Sequence, residues 1–187
     1  TAILSHGHNY HGDGFKYYSK KIKFITHPNC MLKRWRRDDN SHYCGIQLSK
    51  VELESKFDVI YTKEPYRVNE DIYYLGEINK KRKIIVNKWV LEDGTNDEIL
   101  DDSGMAINTK NGIIVIAGCS HSGICNIIEH AKRVTNNNKV RAVIGGFHLR
   151  ELNKEVDDTI EFMKNNVYEV ILAHCTSDIV CNRFKDK

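Results

Sequence analysis

Three histidines lie within six positions near the start of the chain, directly after a short apolar run. Residues 2–4 are typical of the end of a buried strand, and His6, His8 and His11 follow among glycines. Glycine allows tight backbone turns, so this loop can direct several imidazoles toward one point. Imidazole is a good ligand for zinc and other first-row metals. Because only 9 of the 187 residues are histidine, this clustering predicts a metal site rather than three solvated side chains.

The composition predicts a folded, soluble protein without a membrane span. Hydrophobic residues make up 41% of the chain and charged residues 28%, and only 2 residues are proline, as is typical of a globular domain. A net charge of +3 is too small to predict a nucleic-acid partner. The chain has no apolar run of about 18 residues, the length that a membrane-spanning helix needs.

The six cysteines are spread along the chain, and none forms a Cys-x-x-Cys pair. This spacing predicts reduced thiols in a cytoplasmic protein rather than a disulfide framework. Cys119 and Cys175 each lie within two residues of a histidine that we consider as a metal ligand. Thiolate ligation is open to both, although we favour packing beside the site.

Two patterns of secondary structure divide the chain. The middle section predicts a helix and several short strands in an antiparallel meander, at 50–56, 57–61, 66–68, 72–75 and 84–91. After Gly104 a hairpin is followed by alternating helices and strands, at 105–108, 113–117, 124–134, 140–144, 156–167 and 170–173, and then by a helix at 178–184. Such alternation predicts parallel neighbouring strands.

Four histidines follow directly after predicted strands. They are His6, His121, His148 and His174. Ligands of open α/β sheets bind outside the carboxyl ends of the strands. We therefore expect four strands of one sheet to bring these side chains to one edge, together with His8 and His11.

A basic run at residues 33–37 allows two interpretations. It could bind anions such as phosphate or RNA, or it could be the solvated face of a helix with Trp35 turned inward. We favour the solvated face, because Asp38 and Asp39 follow at once and dilute the charge.

The opening resembles the H-x-H-x-D-H signature of the metallo-β-lactamase superfamily, and His121, His148 and His174 are spaced much as in its later ligand motifs. More narrowly, the chain resembles the subfamily named for 7,8-dihydropterin-6-methyl-4-(β-D-ribofuranosyl)aminobenzene-5′-phosphate synthase, at residues 4–14, 62–65, 101–102, 107–110, 118–128, 143–149 and 173–176. The resemblance implies an αββα sandwich with mixed sheets. Residues 1–187 would form one such domain lacking its first and last strands, as a fragment or truncated copy.

The resemblance also implies a metal-dependent, hydrolase-like enzyme that acts on a phosphorylated or pterin-like small molecule. His6, His8 and His121 would hold the first metal, and His11 and His174 the second, with His148 between them. We expect zinc at the first site, leave the second open, and keep Mn²⁺ and Fe²⁺ as alternatives. Zinc with three histidines and an open position lowers the pKa of bound water to roughly 7. In the synthase reaction the metal would instead help a pyrophosphate to leave.

Two positions depart from the superfamily pattern. Tyr10 stands where the signature has aspartate, and His148 replaces the usual bridging aspartate. Both changes remove a carboxylate and predict a weaker second site, with Asp13 as a nearby substitute. We assign catalytic roles to His148 and Asp13. A non-catalytic metal-binding protein and an RNA-processing nuclease of the same fold are the alternatives, and the oligomeric state is left open.

Overall fold

The computed structural model describes residues 1–82 and 88–185. The strands are β1 (Ala2–Ile3), β2 (Lys23–Thr26), β3 (Arg34–Arg36), β4 (Asp58–Tyr61), β5 (Tyr66–Arg67), β6 (Ile72–Tyr74), β7 (Trp89–Leu91), β8 (Gly104–Thr109), β9 (Gly112–Ala117), β10 (Val140–Gly145) and β11 (Val167–Leu172). The α-helices are α1 (Asn9–Gly12), α2 (Lys50–Lys56), α3 (Ile124–Thr135), α4 (Lys154–Asn166) and α5 (Asp178–Lys185), with 3₁₀ turns at Asp13–Tyr17 and Pro28–Met31.

The larger sheet has six strands in the order β11-β10-β9-β8-β6-β5. The strands β9, β10 and β11 are parallel, as the alternation with helices predicts, and β8 and β9 form the predicted antiparallel hairpin. Ile113, Val115 and Ala117 point to one face of β9, because side chains alternate along a strand. They pack there with Ile127 of α3 and Ile160 of α4 in the main hydrophobic core.

The smaller sheet has three parallel strands in the order β1-β2-β4. Its core includes Phe24 and Phe57, whose rings stack with centroids 5.1 Å apart, and Leu53 of α2. A capping box between Ser49 and Glu52 fixes the start of α2. These two sheets, each packed against helices, form the mixed α/β sandwich that the sequence predicts, and β3 pairs with β7 in a third, two-stranded sheet. No helix in residues 1–82 and 88–185 is long and apolar enough to cross a membrane.

Two predictions about the sheets are wrong. The strand before His6 belongs to the smaller sheet, whereas those before His121, His148 and His174 belong to the larger one. The middle section is not a single meander, because β4 pairs in parallel with β2, β5 and β6 extend the larger sheet, and β7 pairs with β3. Of the strand predicted at 84–91, only Trp89–Leu91 is seen, and residues 83–87 lie outside the described residues.

The basic run at residues 33–37 is not a helix but contains β3, which pairs with β7. Arg34 is fully buried in it, and its Nε lies 3.0 Å from the Asp97 carboxylate. Its two terminal nitrogens each donate to Asp101 at 3.2 Å. The carboxylate of Asp101 also accepts a hydrogen bond from the backbone N–H of Gly7 at 2.7 Å. This buried ion cluster therefore ties β3 to the histidine-rich loop.

The substitution Arg34→Met should lower the free energy of unfolding by about 3–5 kcal/mol, because it leaves two buried carboxylates without their cation. The matched variant Arg36→Met lies on the same strand but changes an exposed pair with Asp38. It should change the free energy of unfolding by no more than about 0.5 kcal/mol. Urea unfolding of both variants checks this, and equal losses would contradict a special role for the buried cluster.

Candidate metal centre

The histidines of the site stand where regular structure ends. His6 follows β1, while His121, His148 and His174 come just after β9, β10 and β11. The backbone φ angles of His148 and His174 are +52° and +53°. Positive φ is uncommon for residues other than glycine and costs free energy. The surrounding fold therefore holds these two turns in place.

The first group consists of His6, His8 and His121. One ligand nitrogen from each lies within 4.8 Å of the others, and the three residues are 0%, 6% and 4% exposed. Nε2 of His6 is 3.1 Å from Nδ1 of His8, while the hydroxyl of Ser5 lies 3.0 Å from Nδ1 of His6. Two histidine nitrogens on one tetrahedral zinc would be about 3.3 Å apart. The spacing therefore suits one ion.

Among the described residues, Nε2 of His121 is buried and has no hydrogen-bond partner. Buried polar atoms are nearly always hydrogen-bonded, so such an orphaned nitrogen is a sign of an interaction outside the chain. A cation coordinated at this point would satisfy Nε2 of His121, while His8 would bind it through Nδ1, the nitrogen that faces His6. Three imidazole nitrogens are a donor set that zinc prefers. The residues present therefore fit a metal ion.

The electrostatics keep these imidazoles neutral. Burial lowers the pKa of His8 to about 3. Burial, together with the neighbouring histidines, also holds the pKa of His6 and of His121 well below the ordinary value. Neutral imidazole is the form that coordinates metals, because protonation occupies the lone pair. At pH 7 the group is three neutral bases packed together.

A second group lies beside the first, at the more exposed end of the site. Nε2 of His11 is 3.1 Å from Sγ of Cys119 and 3.1 Å from Nε2 of His174. The ligand atoms of Cys119, His174 and Cys175 also lie within 4.8 Å of one another. A hydrogen bond between the two thiols raises the pKa of Cys119 and lowers the pKa of Cys175. The structure thus places both thiols among histidine ligands, where packing alone was the favoured interpretation.

His148 stands next to the first group without joining it. Its ring centroid is 4.5 Å from that of His121, and burial lowers its pKa to about 4. It belongs to none of the three sets of ligand atoms found among the described residues. It lines a cavity of about 650 Å³ with His121 and Trp89. The indole of Trp89 packs on His8 and His121, with centroids 4.9 Å away in both cases, and faces His148 at 5.7 Å.

Asp13 and Tyr10 are not brought to the ligand atoms. The carboxylate of Asp13 accepts a hydrogen bond from the backbone N–H of Gln47 at 2.8 Å, and Asp13 is in none of the ligand groups found among the described residues. Tyr10 is 80% exposed on α1. The predicted role of Asp13 as a substitute carboxylate therefore has no support in the geometry, because the backbone of the following loop already uses it.

The other three histidines lie apart from the site. His27 is buried, accepts a hydrogen bond from the N–H of Asn29 and contacts the carboxylate of Glu77. His130 bonds to the carbonyl of Leu75 at 3.0 Å. His42 lies in the loop after β3, half-buried. None of these three belongs to a ligand set found among the described residues.

Several supporting residues were not predicted from the sequence as parts of the site. Asp102 is fully buried and accepts from the N–H of Ser122, beside His121, at 2.8 Å, and burial raises its pKa to about 6. Asp101 and Arg34 support Gly7 from behind, and Trp89 covers the ligand rings. The adjacent acids at 101–102, in one of the stretches that resemble the subfamily, were the available signal.

The basic run does not form an anion-binding patch. Lys33 pairs with Glu92, and Arg36 with Asp38. Arg37 donates to the side-chain oxygen of Asn96 at 2.8 Å, and Arg34 is buried. Residues 33–37 therefore do not form the basic patch that motivated the RNA-processing alternative.

The chain is similar in sequence to known proteins. The chain is 32% identical to a 7,8-dihydropterin-6-methyl-4-(β-D-ribofuranosyl)-aminobenzene-5′-phosphate synthase of Methanocaldococcus jannaschii, over 99% of this chain and 69% of that protein. It is 31% identical to an uncharacterised protein of the same organism, over 93% and 68%. No family model matches the chain.

The fold is also similar to that of a solved structure. A crystal structure described as a metal-dependent hydrolase of the β-lactamase superfamily superposes with a TM-score of 0.87 and 26% identity, over 98% of this chain and 72% of that one. The chain therefore belongs to the metallo-β-lactamase superfamily, in the branch that contains the dihydropterin phosphate synthase.

Proposed function

We propose that this chain is a metal-dependent enzyme of the metallo-β-lactamase fold that acts on a phosphorylated, pterin-like small molecule. The observation that carries the proposal is the group of three buried neutral imidazoles, in which Nε2 of His121 is orphaned, next to a cavity of about 650 Å³. Buried bases without partners are costly unless a ligand satisfies them. The relative's name supplies the class of substrate and the solved neighbour's description supplies metal dependence.

The cavity offers groups suited to such a molecule. Trp89 presents an indole beside the imidazoles, and an aromatic face of this kind can stack on a planar ring such as a pterin. Arg82 and Lys88 line the same cavity and can hold an anionic phosphate. Lys154 is less available because it pairs with Asp158. The cavity thus combines a stacking surface and cations within reach of the proposed metal.

His6, His8 and His121 would hold the metal, which when bound supplies a Lewis acid and a water of lowered pKa. His148 is neutral at pH 7 because its pKa is about 4. Its imidazole can therefore accept a proton or a hydrogen bond from a group in the cavity. Trp89 excludes water from one side of the imidazoles. The fold holds the backbone of His148 at a positive φ, which keeps its ring beside that of His121.

Two assays test this function. Purified protein loaded with Zn²⁺, Mn²⁺ or Fe²⁺ would be given a dihydropterin pyrophosphate together with (β-D-ribofuranosyl)aminobenzene 5′-phosphate, and pyrophosphate release measured. A set of phosphate esters tests the hydrolase-like alternative. Metal-dependent turnover in either assay supports the proposal. Bound metal without turnover in both would favour the non-catalytic alternative, and absence of bound metal would refute the proposal.

The substitution His121→Ala should remove at least one equivalent of bound metal, because it deletes one of the three ligands of the first group. The matched control is His42→Ala, which changes a histidine in a polar loop away from the site. Metal analysis of both proteins, purified alike, provides the measurement. Equal stoichiometry in the two variants would contradict the assignment of His121.

Metal binding to the first group should depend weakly on pH. Three ordinary imidazoles of pKa about 6.5 would each be about nine-tenths protonated at pH 5.5, and affinity would fall about a thousandfold from its value at pH 7.5. Here the pKa of His8 is about 3 and those of its neighbours are also lowered, so the lone pairs remain free throughout this range. We expect a change below about tenfold. Competition titrations against a chelator at both pH values measure it, and a thousandfold loss would contradict the neutral-cluster description.

A further inference from the structure

We infer that Cys119, Cys175, His11 and His174 form a second, thiolate-containing metal site, closed and structural rather than catalytic. The inference rests on the proposed function only for the presence of a metal at the neighbouring histidine group. It assigns to two cysteines a role that the H-x-H-x-D-H pattern does not contain. The ion expected is Zn²⁺, because two thiolates and two imidazoles are a ligand set typical of closed zinc sites.

The distances suit one tetrahedral ion. With Zn–S near 2.3 Å and Zn–N near 2.0–2.1 Å, ligand atoms on a tetrahedral zinc are separated by about 3.3–3.8 Å. Nε2 of His11 is 3.1 Å from both Sγ of Cys119 and Nε2 of His174. Cys119, His174 and Cys175 also form a set within 4.8 Å. Four donors from three separate parts of the chain therefore lie close together, linked through His11 and Cys119.

The donors are not equally placed. Cys119 belongs to two of the ligand sets found among the described residues, and it is only 5% exposed. No set within 4.8 Å in that part of the chain holds both His11 and Cys175. The sulfur of Cys175 must therefore turn toward the ion on binding. Cys119 is the stronger ligand, and Cys175 closes the site.

Charge explains why this site can do without an aspartate. Tyr10, at the aspartate position of the signature, is 80% exposed, and Asp13 is bonded to the backbone of Gln47. A dication held by neutral ligands alone beside a second dication is poorly compensated. Two thiolates carry the negative charge that balances one zinc ion. The cysteines thus replace the missing carboxylates.

The closed ligand set implies a structural role for the ion. Its donors come from α1, from the turn after β9 and from the turn after β11. A zinc ion there would join the histidine-rich loop to two strand ends of the larger sheet. Catalytic zinc keeps an open position, whereas four protein ligands leave none. The open position would then belong to the neighbouring three-histidine group.

The experiment measures metal ligation directly in the full chain, purified under a non-chelating reductant and loaded with zinc. Zinc X-ray absorption should show sulfur scattering at about 2.3 Å, and Co²⁺ substitution should give a sulfur-to-metal charge-transfer band. Cys119→Ser should lose one of two metal equivalents together with these signals. Cys175→Ser should weaken them less, and the matched control Cys181→Ser on α5 should leave them unchanged. Tyr10→Asp should add no further equivalent.

A measurement on the wild-type protein needs no variant to fold. Zinc should protect Cys175 from alkylation but leave Cys181 reactive, and a chelator should restore the reactivity of Cys175. Absence of sulfur scattering with one ion retained by the histidines would overturn this inference and leave the proposed function standing. If no metal binds at all, the proposed function fails with it.

Discussion

The buried contact between Asp101 and the backbone of Gly7 is the constraint on which the site depends. Asp101 is held by Arg34, and both side chains are fully buried, so the carboxylate has little freedom to leave the loop. Gly7 itself is required there, because an added Cβ would lie 1.9 Å from the carbonyl oxygen of Cys30. The turn between His6 and His8 is thus fixed by packing on one side and by a charged acceptor on the other.

The fixed turn makes the chemistry of the site possible. A mobile loop would let the three buried, neutral imidazoles move apart. The ion cluster behind Gly7 and the hydrogen bond from the N–H of Ser122 to Asp102 hold the loop and His121 in place. Scaffold interactions thus hold the candidate ligand nitrogens together in the protein alone, as a metal ion would require. Preorganisation of this kind lowers the cost of binding, because the ordering has already occurred on folding.

The two groups of candidate ligands differ in their surroundings. The buried group of three histidines borders the cavity with Trp89 and His148, where a substrate can enter. The group that contains Cys119 and Cys175 lies where α1 meets the ends of β9 and β11. The two groups are close, since the ring centroids of His6 and His11 are 4.3 Å apart. An ion in one group would therefore influence the other through charge as well as through shared backbone.

The sequence by itself determined the local features of this protein. The periodic apolar positions of α3 and α4, the hairpin before Gly112 and the histidines after strand ends could all be predicted, because each depends on neighbours a few residues away. The prediction of a metal site followed from those histidines.

Only the tertiary structure decided how these pieces combine. It placed β1 in a different sheet from β9, buried Arg34 between two carboxylates, and brought Cys119 to His11, which is 108 positions away. It also left Asp13 with a backbone partner. Strand partners and buried charge pairs are selected by the free energy of the whole packed core, and alternation along one segment carries no information about which distant segment will cover it.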